Sequence, residues 1–401
     1  MTTPAPAPIR TSLLVLAYFA FISLGLPDGL LGVAWPSMSD DFAIPRESIG
    51  LLLIAGTAGY LTSSVAAGFT MSRLGVGWLL AGSTALASTA LFLFGASPVF
   101  ALTVVAALLA GFGGGAIDSG LNAYAASAFG PRHMNWLHAF FGLGVALGPL
   151  IMTAAISSGP SWRLGYVVVA SGQAALALAF VLTARRWAAR GVPDAEADAT
   201  PVAAVRSRET LTMPAVWIGV LAFGVYVAVE VGAGLFAYQL LTEGRGVSDA
   251  VAGVCVSLYW GSLFVGRVVQ GFVAERLGPT RVLIGSLIGM AAGAVLVAVR
   301  GPAWLAVLGL VVIGFAAAPV FPLMTLTTAE RVGAAHADRA IGLQIGGAGL
   351  GGALIPAGIG VLLGAAGVEA LGPTLVVLSL LLIALYAASA RGRRPAPSAA
   401  A

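Results

Sequence analysis

Twelve uninterrupted apolar runs decide what this chain can become. They fall near residues 12–36, 47–71, 76–96, 99–128, 135–158 and 163–187, then near 213–241, 249–274, 279–299, 303–329, 338–363 and 368–390. Each is long enough for an α-helix, rising about 1.5 Å per residue, to cross ~30 Å of hydrocarbon. In that medium every backbone N–H and C=O needs a partner inside the protein, and helices supply one within each run. Only 9% of the residues are charged and 59% are hydrophobic, whereas soluble domains carry about 25% charged residues. The fold class is therefore all-α, an integral membrane protein of twelve transmembrane helices. Membrane lipid is its surroundings. The opening "MTTPAPAPIR" leads into a run long enough to span with no small-residue cleavage site, which predicts an uncleaved first helix. One cysteine, Cys255, excludes an intramolecular disulfide and a Cys-based metal cluster, and no metal site is expected. All 20 basic residues are arginine. They mark topology, so the net charge of +4 implies no nucleic-acid partner.

The runs divide six and six around "ARRWAARGVPDAEADATPVAAVRSRET" (184–210), the only long polar interval. The expected domains are an N-terminal six-helix bundle (1–183), a linker (184–211) and a C-terminal six-helix bundle (212–401). If both chain ends and the linker face the cytoplasm, fifteen arginines lie inside and four (Arg46, Arg163, Arg245, Arg300) outside, with Arg267 alone within a span. The positive-inside rule selects that orientation. The expected location is a bacterial cytoplasmic (inner) membrane. The halves also repeat: "GFTMSRLGVG" (68–77) and "GFVAERLGPT" (271–280) lie 203 residues apart. "AGFGGG" (110–115) and "IGFAAA" (313–318) keep that offset, and Asp28 and Glu230 lie 202 apart. Three features at nearly one offset point to an internal duplication.

Ionisable side chains inside a membrane face a cavity, a partner or the bundle interior. The informative set is short: Asp28, Asp118, Glu230 and Arg267, with Asn122, Gln173, Gln239 and Gln344 as neutral polar candidates. Asp28 lies in "LGLPDGLLGVAWPSM", where Pro27 and Gly29 weaken the helix and Trp35 falls on the same face. Asp118 and Asn122, spaced i, i+4, share one helix face. A carboxyl taken out of water favours its neutral form and releases its proton when a water path opens, which is the property a proton carrier needs. The bland alternative is an interhelical hydrogen bond. His138 stands one turn into the fifth span, as a relay or an interfacial residue, and Gly148 and Pro149 further along read as close helix packing. Tyr226 and Glu230 form a second i, i+4 pair, Trp260 and Arg267 share a face of the eighth span, and Arg267 needs a counter-charge from Glu230 or Glu275. Gln344 is placed to bond either a ligand or a neighbouring helix.

Two six-helix halves with a G-x-x-x-x-R-x-G loop in each resemble the major facilitator superfamily. The family's loop has an Asp before the Arg; here Ser72 precedes Arg73, while Glu275 precedes Arg276. These residues would belong to its gates. "LPDG", "AIDSGLNAY" and "LHAFFGLG", with Phe141 in the last, are most similar to the fucose permease–like branch of sugar–proton symporters. That resemblance implies that Asp28 and Asp118 bind substrate and carry protons. Glu230 would titrate with them, and Asp118 stands where the branch more often has Glu.

A cavity of carboxylates, amides and flat rings suits a polar, uncharged, hydroxyl-rich solute. The reading is a proton-coupled symporter, with the proton as coupling ion, no cofactor, a small-molecule substrate and a monomeric state. The alternative is a proton-coupled exporter of drugs or metabolites, for which "GVALGP" (144–149) resembles an antiporter motif. A sensor on the same fold is a third. An enzyme is not expected: no nucleophile–His–acid set or metal-ligand spacing occurs.

Overall fold

A computed structural model of the protein describes residues 11–159, 161–187 and 207–390. Among them, 12 helices are long and apolar enough to cross a membrane. The first six are α1 (Thr11–Asp41), α2 (Ile49–Leu74), α3 (Val76–Ala96), α4 (Phe100–Ala128), α5 (Gly130–Ser157) and α6 (Trp162–Thr183). The second six are α7 (Pro214–Gln239), α8 (Asp249–Leu277), α9 (Pro279–Ala298), α10 (Ala303–Ala317, whose membrane-crossing stretch runs on to Leu326), α11 (Ala334–Ala366) and α12 (Leu371–Ala390). The face at which α1 starts is called the terminal face, and the opposite one the far face. The expected linker lies mostly outside the described residues. Its first turn, Ala184–Trp187, belongs with the first half, because Trp187 is fully buried against Tyr124 and Phe180.

The sequence repeat is a repeat of backbone geometry. α2 ends on Gly75 at φ +76°, whose N–H bonds Met71 O; α8 ends on Gly278 at φ +83°, whose N–H bonds Ala274 O. Both glycines occupy the left-handed region that lets a helix stop and the next one start at once. Each is 203 residues from its counterpart, as are the two carbonyls they cap.

Lipid tails are as apolar as leucine, so these helices gain little from hydrophobic burial against each other and hold together by close packing and hydrogen bonds. α1 and α5 show how. Gly25 and Gly29 of α1 meet the backbone of α5 at Phe141, Val145 and Gly148, and a Cβ on Gly29 would stand 2.8 Å from Pro149 Cδ. Gly148 and Pro149 are thus packing residues. The expected weakening of α1 around Pro27 does not occur: the helix is unbroken from Thr11 to Asp41. Proline at 27 removes the N–H that would have bonded Ser23 O. Gln173 Nε2 of α6 takes that place, 2.9 Å from Ser23 O. A carbonyl orphaned by proline is thereby satisfied by an otherwise unexplained buried glutamine. Replacing Gln173 with Leu is expected to cost about 1–2 kcal/mol, read as a lower apparent Tm of the detergent-purified protein. An unchanged Tm would show that Ser23 O finds water instead.

One span departs from its expected form. The run 303–329 is not a single helix: α10 ends at Ala317 and the chain resumes helix at Val320–Leu326 and Thr328–Val332. Pro319 and Pro322 each lack an amide proton, which interrupts the ladder there.

The halves meet near the far face. Gly32 of α1 faces the Leu235 carbonyl of α7, Gly50 of α2 faces Ala357 of α11, and Gly253 of α8 faces Thr153 of α5. Ser257 donates to Ala146 O at 2.5 Å. Arg46, between α1 and α2, bonds Pro36 O and Ser39 Oγ, and its Nη2 lies 3.1 Å from Asp40 and 3.4 Å from Glu243 beyond α7. On the terminal side, Gly68 of α2 and Gly342 and Gly346 of α11 look into open space. Every one of these contacts between the halves lies between mid-membrane and the far face, which leaves the terminal side as the one where they part.

Candidate functional site

The interior polar groups sit where the halves begin to part. Asp118 lies on α4 ten residues before Ala128, and His138 on α5 eight residues after Gly130. Arg267 lies on α8 ten residues before Leu277. All three therefore stand at about the same depth, ~12–15 Å from the terminal ends of their helices.

Asp118 is half-buried, and both its oxygens are occupied. Asn122 Nδ2, one turn along, donates to Oδ1 at 2.8 Å, and Tyr60 of α2 donates to Oδ2 at 2.6 Å. Asp118 makes no ion pair with a described residue. A neutral carboxyl fits the same place, because a tyrosine hydroxyl accepts as well as donates. Asn122 Oδ1 is buried with no partner. Asp28 is exposed and makes no hydrogen bond or ion pair with a described residue. It lies near enough to Tyr60 for the two to interact electrostatically. His138 is exposed, edge-on to Phe21 at 5.5 Å, and within electrostatic reach of both Asp118 and Arg267.

In the second half, Tyr226 donates to the Glu230 carboxylate and also lies 3.0 Å from Ala317 O. One hydroxyl proton cannot serve both acceptors. With Glu230 protonated the chain Glu230 to Tyr226 to Ala317 O is complete, so the site accommodates Glu230 in either protonation state. Tyr259 donates to the backbone Glu230 O at 2.6 Å. Arg267 Nη2 approaches Glu230 Oε1 at 4.0 Å, which chooses Glu230 as its counter-charge among the described side chains.

Trp35, Gln344 and Tyr226 are packed away in the interior, whereas Trp260 and Phe141 are half-buried. Trp35 is 1% exposed. Its indole N–H donates to Arg46 O at 2.8 Å, so it braces the far-face turn. Gln344 is likewise buried, because Gly219 of α7 leaves room for its amide, and its Oε1 accepts from Thr328 at 3.0 Å. Tyr226 is buried and can act only through Glu230. Trp260 is half-buried, packed edge-to-face on Tyr259 at 4.9 Å over the bare surface of Gly234. Phe141 is half-buried among the terminal-side apolar residues of the first half. Arg73 is exposed, lies 4.0 Å over the Phe69 ring and makes no ion pair with a described residue. Ser72, where an acid would sit, bonds its own helix at Phe69 O. Arg276 is exposed, and the Glu275 side chain lies outside the described residues. Tyr60 and the Arg46–Glu243 pair were invisible in the sequence: Tyr60 is 58 residues from the carboxylate it bonds.

Two six-helix halves, closed at one face and lined by polar groups where they part, define a transporter. The pattern of the Major Facilitator Superfamily matches residues 17–244 and 232–401, and the chain belongs to that superfamily. It is a multi-pass membrane transporter and not an enzyme. It is 22% identical over 308 residues to the "Sodium-dependent glucose transporter 1A" of Mus musculus, covering 68% of this chain and 71% of that one. It is also 22% identical over 348 residues to the "Glucose/mannose transporter GlcP" of Bacillus subtilis, covering 84% of each. Among solved structures it is similar to a point mutant of the nucleoside transporter NupG, with TM-score 0.77, 16% identity and coverage of 94% and 99%. It is similar to FucP in the outward conformation with TM-score 0.60, 16% identity and coverage of 95% and 99%. At that identity these two likenesses concern the fold.

Proposed function

We propose that this transporter moves a small, uncharged, hydroxyl-rich solute together with protons, by alternating access across a bacterial cytoplasmic membrane with both chain ends inside. Asp118 carries the coupled proton, and Glu230 is the second titrating group. The observation that carries this reading is the donor set around Asp118. Tyr60 and Asn122 point hydrogens at both carboxylate oxygens, which suits the anion, and the Tyr60 hydroxyl can turn to accept from the protonated acid. The solute class follows from the exposed acceptor left over: Asp28 makes no hydrogen bond with a described residue and suits hydroxyl donors. The sugar-transporting relatives agree with that chemistry.

The test is uptake by purified protein in liposomes, using a panel of sugars, nucleosides and dyes under an imposed pH gradient or an imposed sodium gradient. Sugar accumulation in liposomes whose exterior is acidic is the expected result. Accumulation driven by sodium alone would overturn the proton, and expulsion of dyes against the pH gradient would favour an exporter.

A further inference from the structure

Arg267 is the charge whose place is least explained by packing. Its pairing with Glu230 is long, at 4.0 Å, and its side chain is 27% exposed. It also lies on the seam between the halves. A Cβ built on Gly142 of α5 would stand 3.8 Å from Phe264 and 4.0 Å from Arg267 Nη1. The guanidinium of one half therefore lies against bare backbone of the other, with no side chain in between. One turn earlier on α5, His138 feels both Arg267 and Asp118. The charged and titratable groups around Arg267 are Glu230 and Tyr226 on α7, Tyr259 on α8, His138 on α5 and, beyond it, Asp118 on α4 with Tyr60 of α2 and Asp28 of α1.

We propose that Arg267 is a positioning residue shared between the halves, held loosely by Glu230 in the state seen here and drawn toward Asp118 when the terminal face closes. The inference rests on the proton reading above and adds the element that turns proton binding into motion. Asp118 belongs to one rigid half and Arg267 to the other, so rocking the halves changes their separation. An ionised Asp118 attracts Arg267 across the seam and favours the arrangement in which that separation is small; a protonated Asp118 does not. By reciprocity, whichever state brings Arg267 nearer releases the proton more readily. The weakness of the Glu230 pair matters here, because a tight ion pair would hold Arg267 in its own half through the cycle. Gly142 matters as well, since a bulky side chain there would stand in the path.

The experiment measures the equilibrium between states directly. Gly68→Cys on α2 and Gly342→Cys on α11 both enter open space near the terminal face. Spin labels there, in a Cys255→Ser background without other cysteines, report terminal-face closure by pulsed electron resonance in liposomes. Between acid and alkaline buffer the ratio of closed to open protein is expected to rise about tenfold, and by less than about twofold in Arg267→Gln. Arg267→Lys keeps the charge and is expected to keep most of the response. Glu230→Gln releases Arg267 from its own half and is expected to raise the closed fraction. A full pH response in Arg267→Gln would overturn the proposal, as would an equal loss in the Lys variant or a lowered closed fraction in Glu230→Gln. Gradient-driven sugar uptake by the unaltered protein separates the two readings. If it is present while Arg267→Gln keeps its pH response, only the role of Arg267 fails; if it is absent, the proton reading fails too.

Discussion

Asp118→Asn is expected to abolish gradient-driven accumulation while leaving solute exchange within about two- to threefold of the unaltered protein. The local chemistry makes this substitution a clean probe. Asparagine has the shape of a neutral aspartic acid, and Tyr60 can still donate to its carbonyl oxygen. Its amide nitrogen would face the Asn122 amide nitrogen, but Asn122 Oδ1 is buried and unpartnered. Turning the Asn122 amide over brings that oxygen into use as an acceptor, so the pair is satisfied again. The fold and the solute-binding groups should therefore survive, and only the ability to give up a proton is lost. One pH unit across the membrane is worth about 1.4 kcal/mol per proton, which sets a tenfold accumulation for one coupled proton. The measurement is radiolabelled solute in liposomes at a fixed pH difference, beside counterflow without one. The expected accumulation ratio falls from about ten to about one in the variant. Tenfold accumulation in Asp118→Asn would move the coupling role to Glu230. Loss of counterflow as well, in a folded protein, would make Asp118 a solute ligand.

The fold was legible because lipid imposes one rule on every segment: a chain that satisfies its own backbone over about 20 apolar residues is a helix. The repeat was legible because a left-handed glycine leaves a fixed mark, at Gly75 and again at Gly278. Which residues meet across helices was not legible. A span that is apolar all round carries no stripe to say which way it is turned, so the sequence could not separate a cavity wall from a packed seam. Trp35 and Gln344 fell on the wrong side of that ambiguity. Gln173 and Tyr60 fell on it from the other direction, since their partners are a carbonyl orphaned by Pro27 and a carboxylate on another span. Asp118 and Glu230 stood out because an acid in hydrocarbon requires an explanation wherever its helix is turned. Pro319 was visible, but its consequence depended on whether neighbours would carry the helix across it, as they do at Pro27.

Gly32→Trp is expected to stop transport by holding the far face open. The described contacts between the halves lie from mid-membrane to the far face, and Gly32 brings α1 against the backbone of α7. A Cβ there would stand 2.7 Å from Leu235 O, the backbone of the other half. Backbone cannot step aside as a flexible side chain can, and forcing a large ring into such a seam costs several kcal/mol. The Arg46–Glu243 pair cannot offset that. Its side chains are 28% and 39% exposed, and exposed ion pairs contribute about 0.2–1 kcal/mol. Steric exclusion therefore wins over the ionic latch, and the halves rock to the arrangement with the far face parted and the terminal face shut. Solute uptake should fall at least about tenfold, because a few kcal/mol against one state depletes it by that factor or more. An Ala357→Cys reporter opposite Gly50, in the Cys255→Ser background, is expected to become reactive toward a membrane-impermeant maleimide added at the far face. Gly32→Ala is the milder companion: it meets the same carbonyl with one methyl group and should slow transport without stopping it. Transport by Gly32→Trp at the unaltered rate, with Ala357→Cys still protected, would mean that the far-face seam tolerates the ring. Closure there would then not depend on the contact of α1 with α7, and α2 against α11, where Gly50 meets Ala357, would have to carry it.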